Sequence, residues 1–286
     1  MTEPGPDDGL LTAVARRARD AATLLFVPGD RPERFAKAAA AGADLVIIDL
    51  EDAVPPGRKD EARAHAAEWI AAGHTCAVRV NAHGTRWHDA DTAALAGHRC
   101  AVMLPKAEDP AVVRRLVAHL GAATPLIALI ETARGVLAAR DIAAVPGVRR
   151  LAFGGFDLAA ELGVDPADRD ALYAARSALV LASASAGLTG PVDGVTGNLS
   201  DDGLLTDDVR YARRLGCTGK LCVHPRQVPV AAAALRPTAD EVRWAEAVVA
   251  AAAGAGAIAL DGQMIDKPVL DRARRLLRTE HEGNAS

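Results

Sequence analysis

The chain of 286 residues carries 33 Lys+Arg against 37 Asp+Glu, a formal net charge of −4, which excludes a strongly basic nucleic-acid binder. Half of the residues are hydrophobic and 24% are charged, so the chain can bury a sizeable core and lies far from the disordered class. Only 3% are aromatic, which argues against stacking platforms for single-stranded nucleic acid.

Residues 1–9 (MTEPGPDDG) are acidic and Pro/Gly-rich, without the basic and apolar regions of a secretory signal, so a cytoplasmic location is expected. From there, short β-rich runs alternate with Ala/Arg/Glu-rich stretches, the pattern of βα units on a parallel sheet. The runs are Thr23–Val27, Leu45–Leu50, Ala77–Val80, Ala101–Leu104, Leu126–Ile130, Arg150–Phe153, Pro191–Val195 and Lys220–Val223. Helices are predicted over Arg31–Ala41, Lys59–Ala72, Ala111–Leu120, Gly135–Ala144, Ala171–Ala186 and Asp207–Leu215. Eight such units predict an α/β fold of the (β/α)₈ TIM-barrel type. The doubly wound alternative lacks its Gly-rich GxGxxG turn after the first strand. Pro237–Ala253 then predicts an amphipathic helix capped by Thr238, Ala257–Pro268 a hairpin-like stretch, and Val269–Arg278 a basic helix. The expected organisation is an N-terminal extension over 1–22, a catalytic barrel over 23–235 and a C-terminal helix and lid segment over 236–286. The polar ends near 1–10 and 279–286 are expected to be mobile. The apolar stretches are short, Ala/Gly-rich or interrupted, below the roughly 18 residues of a membrane span. Cys76, Cys100, Cys217 and Cys222 are too scattered for a disulfide framework or a zinc site.

In such a barrel catalytic groups stand at the C-terminal strand ends, and here those ends are polar throughout. They carry Asp30-Arg31, Asp49 with Glu51-Asp52, Arg79 with Asn81, Lys106, Glu131, Asp157, Asp193 and His224. Glu131 in LIALIETARG and Asp157 in LAFGGFD, on adjacent strands, suit Mg²⁺, which prefers oxygen ligands and commonly takes one or two protein carboxylates. Each could instead serve the N-terminus of its following helix. Zinc fits less well, since only His224 offers a softer ligand. Arg79 and Asn81 share a face by alternation, and a guanidinium there suits a carboxylate or a developing enolate oxyanion. An ion pair of Arg79 with Glu51 or Asp52 is the alternative, compatible with the first. Lys106 could be a Schiff-base nucleophile, or the partner of Asp49, Glu51 or Asp52.

The segments FVPGDRPERFAKAAAAGADLVIIDLEDAV, RVNAHGTRWHDAD, VMLPKAED, ALIETARGV, PVDGV and GKLCVHPRQV, in this order, resemble the citrate lyase β-subunit-like (CitE-like) CoA ester lyases of the HpcH/HpaI aldolase superfamily. The resemblance covers residues 23–278. It implies a trimeric barrel, or one built from trimers, that uses Mg²⁺ to cleave a 3-hydroxyacyl-CoA thioester into a keto acid and acetyl-CoA. By that resemblance Arg79 binds substrate and stabilises the oxyanion, Glu131 and Asp157 hold Mg²⁺ with Glu131 also meeting substrate, and Glu51 and Asp52 are an acidic pair beside the metal's water. Phe26, Arg31 and Lys37 stand by motif position at the CoA entrance. Gly155-Phe156 departs from the family's small hydroxyl residue and aliphatic. The segment LDGQMIDKPVLDRARRLL resembles the lid of malyl-CoA and citramalyl-CoA lyases, whose Asp, here Asp266, reaches a neighbouring subunit's site. Without that resemblance Asp266 would be a helix cap. The expected activity is a malyl-CoA-like or citramalyl-CoA-like lyase in a homotrimer or hexamer, with neither nucleic acid nor membrane as partner. The alternatives are a citrate lyase β subunit acting on a citryl thioester of an acyl carrier protein, a Schiff-base aldolase using Lys106, and a non-catalytic CoA-ester-binding protein.

Overall fold

A computed structural model describes residues 6–121, 123–252, 258–260 and 263–284. The chain divides into two compact units, Met1–Ala231 and Ala232–Ser286. In the first, eight parallel strands pair in chain order and the last returns to the first, closing a barrel. They are β1 (Thr23–Pro28), β2 (Leu45–Asp49), β3 (Ala77–Arg79), β4 (Ala101–Leu104), β5 (Leu126–Ile130), β6 (Val148–Phe153), β7 (Val192–Asp193) and β8 (Gly219–Cys222). Alternation sends Leu24, Leu45, Ile47, Ala77, Ala101, Met103, Ile127, Leu129, Ala152, Val192 and Leu221 into one interior cluster. Alanines facing Leu, Ile and Met are what fill so narrow a cylinder. All eight predicted strands are present within a residue or two at each end, β7 the most shortened, keeping two of five expected residues. Pro191 has no N–H for the ladder, and only Val192 pairs with β6.

The helices are α1 (Pro6–Asp20), α2 (Phe35–Ala39), α3 (Lys59–Ala71), α4 (His88–Leu95), α5 (Pro110–Leu120), α6 (Ala133–Ala143), α7 (Gly155–Leu162), α8 (Tyr173–Ser185), α9 (Asp202–Leu215) and α10 (Gln227–Leu235). Capping defines several starts. Asp109 accepts from Ala111 N at 2.7 Å, Thr132 from Gly135 N at 3.1 Å, and Asp201 from Leu204 N at 2.9 Å. The Asp201 cap begins α9 five residues ahead of the predicted start. Arg31–Ala41 is not one helix but a 3₁₀ turn, Pro32–Arg34, leading into the short α2. Helices α1, α4, α7 and α10 lie outside the predicted helices.

The expectation of a mobile end near 1–10 is corrected from residue 6 onward, because α1 is a helix seated on the barrel. Val14 and Ala18 are fully buried in the interior cluster. Their anchor is Arg150, fully buried at the start of β6, whose guanidinium donates to Arg19 O at 2.7 Å, Ala21 O at 2.8 Å, Gly190 O at 2.8 Å and Thr218 Oγ1 at 2.8 Å. Carbonyl dipoles satisfy this cation in place of a carboxylate, although burial brings it down to about 10. The four cysteines are free and buried, and burial pushes each thiol up, away from the reactive thiolate.

The second unit contains α11 (Ala239–Ala252), the antiparallel pair β9 (Ile258–Leu260) and β10 (Gln263–Ile265), and α12 (Lys267–Asn284). Thr238 and Glu241 form a reciprocal capping box, Glu241 N donating to Thr238 Oγ1 at 3.2 Å and Thr238 N to Glu241 Oε2 at 2.8 Å. Ala245, Val248 and Ala273 make its core, flanked by Trp244, Val269 and Leu270. Of the predicted hairpin, residues 257 and 261–262 lie outside the described residues. Residues 279–284, expected to be a mobile polar end, continue α12. Among the described residues no helix is long and apolar enough to cross a membrane.

Candidate active site

The β2–β3 register sets Asp49 directly beside Arg79, both at strand ends. Arg79 Nε donates to Asp49 Oδ1 at 2.7 Å and Nη2 to Oδ2 at 2.6 Å, a bidentate fork. Asp49 also accepts from Glu51 N at 2.9 Å and Ala53 N at 3.0 Å, so one carboxylate orients the guanidinium and folds the loop that carries Glu51 and Asp52. The expected pairing of Arg79 with Glu51 or Asp52 is therefore secondary. Its Nη1 lies 3.2 Å from Glu51 Oε2 and 3.7 Å from Asp52 Oδ2. Phe26 of β1 covers the guanidinium, ring centroid to Cζ 4.8 Å. Burial opposes the charge on Arg79, but Asp49, Glu51 and Asp52 outweigh it and hold the group protonated.

The same loop is tied from behind by buried Lys59, whose ammonium donates to Leu50 O at 2.8 Å and Glu51 O at 2.7 Å. Glu51 is buried; its Oε1 accepts from Lys106 Nζ at 3.2 Å, while Oε2, though near Arg79, receives no hydrogen bond. Glu131 follows β5 and is only 2% exposed. The Thr132 cap sets the turn there, and Lys106 N donates to Glu131 Oε1 at 2.9 Å. Asp157 sits half-exposed in the first turn of α7, Oδ1 3.7 Å from Lys106 Nζ. Between them, Gly154 has no side chain because a Cβ there would lie 2.3 Å from Glu131 Cβ and 2.5 Å from its Oε2.

Five carboxylates, Asp49, Glu51, Asp52, Glu131 and Asp157, thus gather around Arg79 and Lys106. Lys106 pairs with Glu51 and Asp157. Burial opposes its charge, yet Glu51, Glu131 and Asp157 raise its proton affinity, so it is an ammonium and not the neutral amine a Schiff base needs. Other strand-end groups are engaged elsewhere. Asp30 accepts from Arg58 at 2.7 Å, Asn81 Nδ2 donates to Asp91 at 2.6 Å, and buried Asp193 pairs with Lys220 at 2.9 Å and Arg176 at 2.8 Å. His224 Nδ1 accepts from Arg226 N at 3.2 Å. Arg31 and Lys37 are exposed, at the 3₁₀ turn and on α2. Asp266 belongs to the second unit, where Oδ1 accepts from Val269 N at 3.1 Å and caps α12. Phe156, the departure from the family pattern, is partly exposed in the first turn of α7.

The charge excess has a measurable consequence. Desolvation, reinforced by neighbouring carboxylates, pushes Glu131 up to about 8, and desolvation pushes Glu51 up to about 7 despite Arg79. Both bind protons more tightly folded than unfolded, so their stabilising effect is complete below the ordinary carboxylate value of 4.5 and is lost as pH rises through 7 and 8. Thermal denaturation should show Tm falling between about pH 5 and pH 8.5. A flat Tm over that range would contradict the proton affinities.

Fold and site define a (β/α)₈ barrel with an arginine held among acids at its mouth. The family signature described as HpcH/HpaI aldolase/citrate lyase matches residues 22–225, and the chain belongs to that family. A citrate lyase subunit beta-like protein of Mycobacterium tuberculosis is 41% identical over 269 residues, 91% of this chain and 96% of that protein. A (3S)-malyl-CoA thioesterase of Cereibacter sphaeroides is 35% identical over 278 residues, 92% of this chain and 96% of that one. Among solved structures, protein CitE from M. tuberculosis in complex with magnesium, acetoacetate and coenzyme A superposes with a TM-score of 0.82 at 39% identity, covering 93% of this chain and 99% of that one.

Proposed function

We propose that the protein is a Mg²⁺-dependent lyase that cleaves a carbon–carbon bond of a malyl-CoA-like or citramalyl-CoA-like 3-hydroxyacyl-CoA thioester, giving a keto acid and acetyl-CoA. The observation that carries this reading is one oriented guanidinium, Arg79, in the same cluster as buried Glu131 after β5 and half-exposed Asp157 in the first turn of α7, joined to them through Glu51 and Lys106. Magnesium fits that donor set. All the side-chain donors are hard oxygens, negative charge exceeds the two cations, and Glu131 has only one oxygen engaged by a backbone N–H. Bound by Glu131 and Asp157, the ion would supply Lewis-acid polarisation of the keto-acid half.

The chain's own groups do the rest. Asp49 aims Arg79, leaving Nη1 to donate to the thioester oxygen as negative charge grows there. As the 3-hydroxyl passes its proton to the water held by the Glu51/Asp52 pair, the C–C bond breaks and its electron pair passes into the thioester. The resulting α-carbon must gain a proton. Asp266 is the group we assign to that transfer, delivered in a homotrimer or hexamer by a neighbouring subunit's lid. Glu51 and Asp52 hold water beside the reacting centre, and Phe26, Arg31 and Lys37 line the CoA entrance. The relative named as a thioesterase and the citrate lyase alternative make product identity the test.

Malyl-, methylmalyl-, citramalyl- and citryl-CoA should be assayed for keto acid and free thiol separately, with and without EDTA. Keto acid without free CoA, abolished by EDTA and restored by Mg²⁺ or Mn²⁺, is expected from one of the first three. Free thiol without keto acid would replace the lyase by a hydrolase. For the lid, mixing inactive Asp266→Asn with inactive Arg79→Ala subunits should regain activity, since mixed oligomers pair an intact barrel with an intact lid. Proven subunit exchange without recovery would place Asp266 in its own chain's site or outside the mechanism.

A further inference from the structure

Lys106 is the only non-glycine among the described residues with positive φ, +48°. For a lysine that backbone costs energy that Gly or Asn would largely avoid, and such outliers persist where the surroundings impose them. What the bend achieves is specific. It turns the Lys106 amide onto Glu131 Oε1 at 2.9 Å and leaves the ammonium 3.2 Å from Glu51 Oε1 and 3.7 Å from Asp157 Oδ1. One residue thereby touches three acids of the cluster, both proposed magnesium ligands among them, and two of the three with a full positive charge. Arg79 is bound to Asp49 through its other edge and reaches neither Glu131 nor Asp157 within ion-pair distance.

We infer that Lys106 is an internal counter-cation that competes with the divalent metal, neutralising the Glu51/Asp157 side of the site in the metal-free protein and lowering its metal affinity. The inference rests on the assignment of Glu131 and Asp157 as metal ligands. A cation beside a +2 ion in a partly buried site weakens that ion's binding. An ordinary structural ion pair would act in the opposite sense, since breaking it would loosen the ligands.

The experiment titrates the full chain with Mn²⁺ alone by calorimetry or electron paramagnetic resonance, in wild type, Lys106→Met, Lys106→Arg and Lys106→Gly, with Asp157→Asn as the site control. Lys106→Met should bind Mn²⁺ roughly tenfold more tightly than wild type, Lys106→Arg should bind as wild type does, and chelated Lys106→Met should melt lower but be rescued by Mn²⁺. Lys106→Gly keeps the backbone N–H donating to Glu131 and relieves the backbone, so it serves if Lys106→Met does not fold, with the same tightening expected. Wild-type binding that does not tighten in either neutral variant overturns the inference and leaves the metal assignment standing. Absence of Mn²⁺ binding in every variant, or binding unaffected by Asp157→Asn, overturns both.

Discussion

Arg79→Lys is expected to lower turnover by about 10² to 10³ while changing substrate KM little, because the lost donor acts where charge develops in the transition state. Arginine here performs two tasks with two edges of one plane. Nε and Nη2 are fixed on Asp49, and Nη1, which faces Glu51 and Asp52 at 3.2 and 3.7 Å without a hydrogen bond to Glu51, is the edge available to substrate. An ammonium can satisfy Asp49 or reach beyond it, but cannot reproduce the fork and the third donor together. Arg79→Ala is the less informative variant, since it strands Asp49, 1% exposed, without its cation; leaving such a charge uncompensated costs on the order of 3–5 kcal/mol in stability. Steady-state kinetics of the lysine variant, with Tm measured alongside, separate the two effects. Turnover within a few-fold of wild type would reduce Arg79 to a structural partner of Asp49.

Gly154→Ala should be nearly as damaging, through space alone. Its φ of −103° is open to any residue, so conformational freedom is not what glycine provides here. The added methyl would sit 2.3 Å from Glu131 Cβ and 2.5 Å from Oε2, so Glu131 or the β6–α7 turn must move. A displacement of about an ångström at a reacting centre can cost on the order of 10² in rate, and overpacking roughly 1–3 kcal/mol in stability. Mn²⁺ affinity should fall together with turnover. Wild-type affinity and turnover in Gly154→Ala would mean that Glu131 does not hold the metal from its position beside Gly154.

The order and kind of the barrel elements, and the concentration of charge at strand ends, were legible in the sequence, because both are local. Alternating apolar runs and motif residues such as Glu131 and Asp157 announce themselves within a few positions. Helix α1 was not legible. Its buried residues Val14 and Ala18 stand among arginines, and what seats it is Arg150, more than a hundred residues away in sequence. Nor could strand-end charges be sorted by sequence alone. Asp30 pairs with Arg58 just before α3, Asn81 with Asp91 on α4, and Asp193 with Arg176 on α8 and Lys220 on β8, while Asp49, which resembles an ordinary strand end, becomes the organiser of Arg79.

What the sequence by itself determined is the closed barrel and the chemical types at its mouth, since periodicity and side-chain identity are properties of the chain. Which of those groups meet was decided only by tertiary structure. The lateral register of β2 on β3 sets Asp49 against Arg79, and the left-handed turn at Lys106 swings its amide and ammonium onto different acids. Pairing between charges depends on distances of a few ångströms across strands far apart in sequence, and no one-dimensional spacing encodes them.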